Sequence, residues 1–187
     1  MRLFIALNLN ATQRRRVHRA AAPLRERDLP VRWLDAGRLH LTLKFLGDVP
    51  RAKVDRVQRV VERVAADTPP FEMELGGFGA FPTIRRPRVL WLGVEASPVL
   101  RCLKQDLEWG LSDHGFPSET RGFHPHITLG RAREDGGAGA FRGLDEQVAE
   151  MDFRDSVRVR SVDLMRSRLS RSGAEYSVLT SAKLAGS

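Results

Sequence analysis

Cysteine is almost missing from this chain: Cys102 stands alone among 187 residues, which excludes an internal disulfide and a Cys-rich zinc site. Any metal would have to be held by His and carboxylates. Long apolar runs are missing too. Nothing approaches the roughly 18 apolar residues a membrane span needs. Met1–Asn10 (MRLFIALNLN) is too short and too alternating for a secretory h-region, with no small-residue cleavage site behind it. The expectation is a cytoplasmic protein with no membrane partner. Acidic residues are in deficit, 23 against 31 Lys plus Arg, for a net charge of +8. All but four of the basic residues are Arg, the side chain suited to forked contacts with phosphate. A polyanionic partner would fit, and so would solvated basic helix faces in an Arg-rich chain, so charge only supports a reading made elsewhere.

At 42% hydrophobic and 29% charged residues the chain has the balance of an ordinary globular protein, and its length suits one domain or two small lobes sharing a core. Three stretches carry helical periodicity. In Ala11–Arg27, Val17, Ala20, Ala21 and Leu24 make the apolar line while Arg14, Arg15, Arg16, Arg19 and Arg25 take other faces. In Arg51–Asp67, five valines from Val54 to Val64 make another line, entered after Pro50 and stopped before Pro69. Ser97 and Pro98 open a third helix to His114, with Leu100, Leu103, Leu107 and Leu111 buried and Cys102 and Trp109 flanking them in or near the core. Strand character marks Arg2–Leu9, His40–Leu46, Phe71–Phe78, Arg88–Glu95, Phe123–Arg131, Val157–Arg168 and Glu175–Ala182. The Gly-rich stretch Asp135–Gly143 reads as a loop, and Pro82–Pro87 (PTIRRP) as an exposed basic turn.

His40-Leu41-Thr42-Leu43 recurs 86 residues later as His126-Ile127-Thr128-Leu129, and the same offset lays the strand at Arg2 on that at Arg88 and the strand at Phe71 on that at Val157. Order and motif repeat together. The expectation is an α+β fold of two pseudo-symmetric lobes of antiparallel sheet with outer helices, forming one bilobal domain over residues 1–187. The repeat runs over about residues 2–87 and 88–187, and the two motif strands face a central groove.

A strand sends residues i and i+2 to one face, so His40 and Thr42 point together, as do His126 and Thr128, while Leu41, Leu43 and Phe45 point away. The groove then holds two imidazoles and two hydroxyls. That inventory suits phosphate-ester chemistry: a neutral imidazole takes a proton from water, a protonated one gives a proton to a leaving alkoxide, and hydroxyls donate to phosphoryl oxygens. One His-x-Thr strand alone is usually structural; two in matching context point to a site. A metal reading stays beside it, because His124 and His126 could chelate with His40 as a third ligand, although no carboxylate accompanies them at motif spacing. His18 and His114 read as helix-surface residues. Phe45, Phe81, Trp33, Trp91 and Tyr176 could stack a base at the groove edge, or simply pack. Arg85, Arg86 and Arg88 could follow a polyanionic backbone, or simply be exposed.

The opening Arg2–Leu7 (RLFIAL), the block Arg32–Asp48 (RWLDAGRLHLTLKFLGD) and the block Phe123–Arg131 (FHPHITLGR) resemble the RNA 2′,3′-cyclic phosphodiesterases, the LigT-like members of the 2H phosphoesterase superfamily, also known as the 2′-5′ RNA ligase family. The resemblance runs the length of the chain and is strongest at the two tetrads. It implies hydrolysis of terminal 2′,3′-cyclic phosphates of RNA to 2′-phosphates, with no cofactor and no metal. It further implies His40 as proton donor to the leaving O3′, His126 as proton acceptor from water, and Thr42, Thr128 and Arg131 on the phosphate. Strand parity puts Arg131 on the side of Ile127 and Leu129 unless the strand twists or bulges at Gly130. The partners implied are RNA 3′ ends carrying the cyclic phosphate, with tRNA fragments among them; a compact monomer is the default expectation for the chain. The same acid and base would serve 2′-5′ ligation to a 5′-hydroxyl. An RNA-binding module whose histidines only line a groove remains the alternative from another class.

Overall fold

In the computed structural model, which describes residues 1–187, nine strands form one sheet, antiparallel at every pairing. They are β1 (Arg2–Asn8), β2 (Val31–Trp33), β3 (His40–Asp48), β4 (Phe71–Pro82), β5 (Pro87–Val94), β6 (His126–Ala132), β7 (Arg154–Val159), β8 (Ser161–Ser170) and β9 (Gly173–Lys183). Their order across the sheet is β7-β4-β5-β6-β3-β1-β8-β9, with β2 beside β6. The helices are α1 (Ala11–Ala20), α2 (Ala22–Arg25), α3 (Arg51–Ala66), α4 (Pro98–Ser112) and α5 (Leu144–Glu150). No helix is long and apolar enough to cross a membrane.

The expected helix over Ala11–Arg27 is interrupted at Ala21, because Pro23 has no N–H to continue the ladder and its ring crowds the carbonyl four residues back. The start of α1 is fixed by a capping box: Asn10 Oδ1 accepts from the Gln13 N–H at 2.8 Å, and Gln13 Oε1 from the Asn10 N–H at 3.0 Å. Ser97 caps α4 as expected, and the valines of α3 and the leucines of α4 are buried. Cys102 and Trp109, however, are exposed, Trp109 at 64%. The flank of α4 that turns inward carries Lys104 and Glu108 instead, because a charged partner waits for them under the sheet.

That partner is Lys44. Its Nζ donates to Glu108 Oε2 at 2.6 Å and to the Pro117 carbonyl at 3.0 Å; Lys104 Nζ donates to Glu108 Oε1 and to the Leu43 carbonyl, both at 2.6 Å, and to Glu119 Oε2 at 2.9 Å. A buried charge is tolerated when it is paired and its remaining hydrogen-bonding groups are satisfied. The cluster ties β3, α4 and the loop that leads into β6 to one another.

Two departures from the expected strands matter for the groove. The single run expected over Val157–Arg168 breaks at Arg160: its first part, β7, edges the sheet beside β4, and its second, β8, lies against β1. The strand expected from Phe123 begins only at His126, so Phe123 and His124 lie in the approach to it. Two short elements, β2 and α5, were not expected from the pattern.

Candidate active site

β3 and β6 adjoin at the middle of the sheet through one bridged pair, Leu41 opposite Ile127. An antiparallel register through that pair sets His40 across from Thr128 and Thr42 across from His126. The two repeated tetrads therefore share one patch. Their cross-strand partners repeat as well: Asn8, Leu7 and Ala6 lie beside His40, Leu41 and Thr42, and Gly93, Leu92 and Trp91 lie beside His126, Ile127 and Thr128.

Both strands then bulge at the same place. Ile5 pairs with Lys44 and Ala6 with Thr42, which leaves Leu43 extra; Leu90 pairs with Gly130 and Trp91 with Thr128, which leaves Leu129 extra. One extra residue reverses the alternation beyond it. Phe45, expected to point away from His40, is 66% exposed with its ring 6.1 Å from Phe4, whose own ring lies 5.1 Å from His40. Lys44 takes the buried side in its place. The same slip brings Arg131 onto the face of His126 and Thr128, against strict parity, where its side chain is exposed and its charge acts on His126.

Each imidazole is held by the same short tether. His40 Nδ1 lies 2.7 Å from the Arg38 carbonyl, and His126 Nδ1 lies 2.7 Å from the His124 carbonyl. A carbonyl only accepts, so both Nδ1 atoms carry the proton and both Nε2 atoms are left for chemistry. His40 Nε2 sits 3.0 Å from Thr42 Oγ1. The contribution of His124 is thus its backbone oxygen, while its side chain is exposed. No group of three or more His, Cys, Asp or Glu side chains is arranged to hold a metal ion, so the geometry does not assemble His40, His124 and His126 into a chelate.

Aromatic rings wall both imidazoles. Phe4 and Tyr176 flank His40, with Tyr176 edge-on at 5.3 Å; Phe81 meets His126 edge-on at 5.0 Å, with Trp91 at 6.3 Å. Phe81, Trp91 and Tyr176 are therefore placed to orient the histidines. Trp33 lies apart: a Cβ on Gly130 would come within 2.8 Å of its ring and 2.6 Å of Val31 Cγ1, so the absence of a side chain at Gly130 is what lets β2 lie against β6. Of the basic turn, Arg85 pairs with Asp145 at 3.4 Å, and Arg86 and Arg88 are exposed.

Burial pushes both imidazoles below the ordinary value. At His40 the bond to the Arg38 carbonyl opposes burial, while the charges of Arg14 and His126 add to it. At His126 the bond to the His124 carbonyl opposes it, and Arg131 and His124 add to it. Arg14, Asn8 and Asp163 were not foreseen at this site. The available signal was Asp163 itself, an acid inside the apolar run Val162–Met165; it is buried, and its carboxylate accepts from Asn8 Nδ2 and Ser181 Oγ, each at 2.6 Å.

Comparison with known proteins agrees with this arrangement. The profile of the 2′-5′ RNA ligase superfamily matches residues 12–171. A protein of Methanothermobacter thermautotrophicus named RNA 2′,3′-cyclic phosphodiesterase is 35% identical over 94% of this chain and 95% of its own length. One of the same name from Thermotoga maritima is 32% identical over 100% of this chain and 97% of its own. Among solved structures, a protein of Thermus thermophilus superposes with a TM-score of 0.79 at 29% identity, covering 100% of this chain and 99% of its own. LigT of E. coli complexed with 3′-AMP does so with a TM-score of 0.75 at 29% identity, covering 98% of this chain and 97% of its own.

Proposed function

The chain belongs to the 2′-5′ RNA ligase superfamily, and from that premise we propose that it is an RNA 2′,3′-cyclic phosphodiesterase, hydrolysing the terminal cyclic phosphate to a 2′-phosphate without a metal. His126 Nε2 takes a proton from water as its oxygen attacks phosphorus, the P–O3′ bond breaks, and His40 Nε2 gives its proton to the departing O3′. Thr42, Thr128 and Arg131 donate to the non-bridging oxygens as charge gathers there. The observation that carries this reading is the pair of imidazoles with Nδ1 tied back to a backbone carbonyl, which leaves Nε2 as the reacting nitrogen, on adjoining strands, each two residues from a threonine.

Burial and, after it, the charge of Arg131 favour the neutral form of His126, as a base requires. His40 also stands below the ordinary value in the free protein. An anionic cyclic phosphate between the two rings favours the His40 cation, so substrate itself loads the acid. The activity bell for kcat/KM is expected on the acid side of the ordinary imidazole value of about 6.5, with its alkaline limb at higher pH in kcat, where the phosphate is bound. Residues 1–187 act as one bilobal unit in this reading, each half supplying one tetrad. The substrate is an RNA 3′ end, tRNA fragments included, met by a monomer in the cytoplasm.

The test is incubation with an RNA ending in 2′,3′-cyclic phosphate, in excess EDTA, with the product phosphate located. Turnover to a 2′-phosphate is expected; loss of turnover on chelation, or a 3′-phosphate product, would refute the mechanism. Supplying a 5′-hydroxyl RNA in the same tube reads out ligation.

A further inference from the structure

Arg14 is unlike the other arginines of α1. Arg15, Arg16 and Arg19 are exposed, but Arg14 is partly buried and reaches from α1 to the end of β1. Its Nε donates to the Leu39 carbonyl at 3.3 Å, and one terminal nitrogen donates to Asn8 Oδ1 at 3.1 Å. Both anchors adjoin His40: Leu39 precedes it in the chain, and Asn8 is its cross-strand partner. Three of the five guanidinium N–H groups are left without a protein acceptor.

The acid nearest in character is already committed. Asp163 accepts from Asn8 and Ser181, so Asn8 stands between the carboxylate and the guanidinium, donating to the carboxylate and accepting from the guanidinium. The capping box at Asn10 fixes the first turn of α1, and with it the root of the Arg14 side chain. The result is a held cation at the rim of the groove on the His40 side, with its donors preorganised. Arg131 stands on the other tetrad strand, where its charge acts on His126.

A terminal cyclic phosphate in an RNA differs from a free nucleoside cyclic phosphate in one charge near the reaction: the phosphodiester on the 5′ side of the last nucleoside. Resting on the hydrolase reading above, we propose that Arg14 forms a subsite for that phosphodiester, so that the protein distinguishes an RNA end from a mononucleotide. Asn8 and the Leu39 carbonyl orient the fork, and the free N–H groups take the non-bridging oxygens of the incoming linkage.

Three substrates test this: a nucleoside 2′,3′-cyclic phosphate, a dinucleotide ending in the same group, and that dinucleotide with an uncharged methylphosphonate at its internal linkage. The wild-type protein should favour the charged dinucleotide in kcat/KM by about tenfold, the scale of one charge-assisted hydrogen bond, with the difference in KM. Arg14→Gln should remove most of that preference, Arg14→Lys part of it, and the methylphosphonate should remove it from the wild type without further loss in Arg14→Gln. An Arg14→Gln loss that is equal on all three substrates, with a displaced alkaline limb, would instead make Arg14 a positioning residue for His40 and overturn the subsite. So would a wild type indifferent to the methylphosphonate, a result that does not depend on the folding of any variant. A wild type that turns over none of the three would fail the hydrolase reading itself, and the subsite with it.

Discussion

The His40 half and the His126 half of the sheet are built alike through the tetrad and differently after it. Both tether Nδ1 to the carbonyl two residues back, both place a threonine two residues on, and both bulge at the fourth tetrad residue. Beyond the bulge, Lys44 and Phe45 stand in one half where Gly130 and Arg131 stand in the other. The buried member of each pair meets a different neighbour: Lys44 an acid on α4, Gly130 the side chains of β2. The groove-facing member differs in chemistry, an exposed aromatic against an exposed cation. A repeated frame thus presents unlike residues to solvent on its two sides.

The largest effects should come from what the halves share. Replacing His40 or His126 by Ala is expected to lower kcat by roughly 10²-fold to 10⁴-fold, and the double replacement by much less than the product of the two, because acid and base act in one step. Single-turnover rates on a cyclic-phosphate RNA measure this; a loss below threefold for both would refute the acid-base pair.

Next come the supports, which differ. Glu108→Ala leaves two buried ammonium groups without their shared carboxylate, and breaking a buried pair of this kind costs about 3–5 kcal/mol. Chemical denaturation should show that loss. The double change Lys44→Met with Glu108→Leu should recover part of it, since apolar residues of similar volume can replace a buried pair. The Lys104 bond to the Leu43 carbonyl holds the bulge itself, so recovered stability with impaired KM would separate the scaffold from the display of Phe45.

The paired histidines and threonines were legible because a short polar pattern inside an apolar strand occurred twice at one spacing. Three helical stretches were legible from their apolar lines, to within the break at Pro23, but the seven residues of α5 are too few to show a period. The faces of Phe45 and Lys44 were not. Strict alternation would bury the aromatic and expose the amine, the sensible choice by hydrophobicity, and no residue near Leu43 announces a bulge. The reason for it lies at Glu108, 64 residues from the Lys44 it pairs with. In the other half Gly130 marks the place, so the pattern allows either face for Arg131. Exposure of Cys102 and Trp109 follows from the same cause, since α4 turns Lys104 and Glu108 inward. The helical pattern sets Arg14 off the apolar line with four other arginines and does not single it out, because its anchors, a backbone carbonyl and Asn8, have no signature in such a pattern.

The contrast between Arg131 and Phe45 can be sharpened by pH. Burial and, after it, the charge of Arg131 lower the pKa of His126; in the proposed mechanism His126 works only when neutral, so activity is expected to be lost as pH falls through that value. Arg131→Met removes the lowering charge and should move the acid limb of kcat/KM to higher pH. It should also reduce the maximum by about tenfold, through the lost contact with the phosphoryl oxygens. Arg131→Lys should restore the limb more fully than the maximum, since it keeps the charge and loses the fork. An acid limb that stays in place in Arg131→Met would mean that burial alone sets the base.

Phe45 should give the smaller change, and of another kind. It touches Phe4 rather than an imidazole, so its removal leaves both tethers and both Nε2 atoms as they are. An exposed ring at a groove edge contributes stacking, about 1–3 kcal/mol per base where it is fully used. At 66% exposure the lower end applies, and Phe45→Ala should raise KM about fivefold with kcat and both pH limbs in place. Phe45→Trp should lower KM, because a larger face stacks at the same position. If Phe45→Ala lowers kcat with KM constant, the ring serves the packing of Phe4 against His40, and the two halves differ less in substrate contact than their exposed residues suggest.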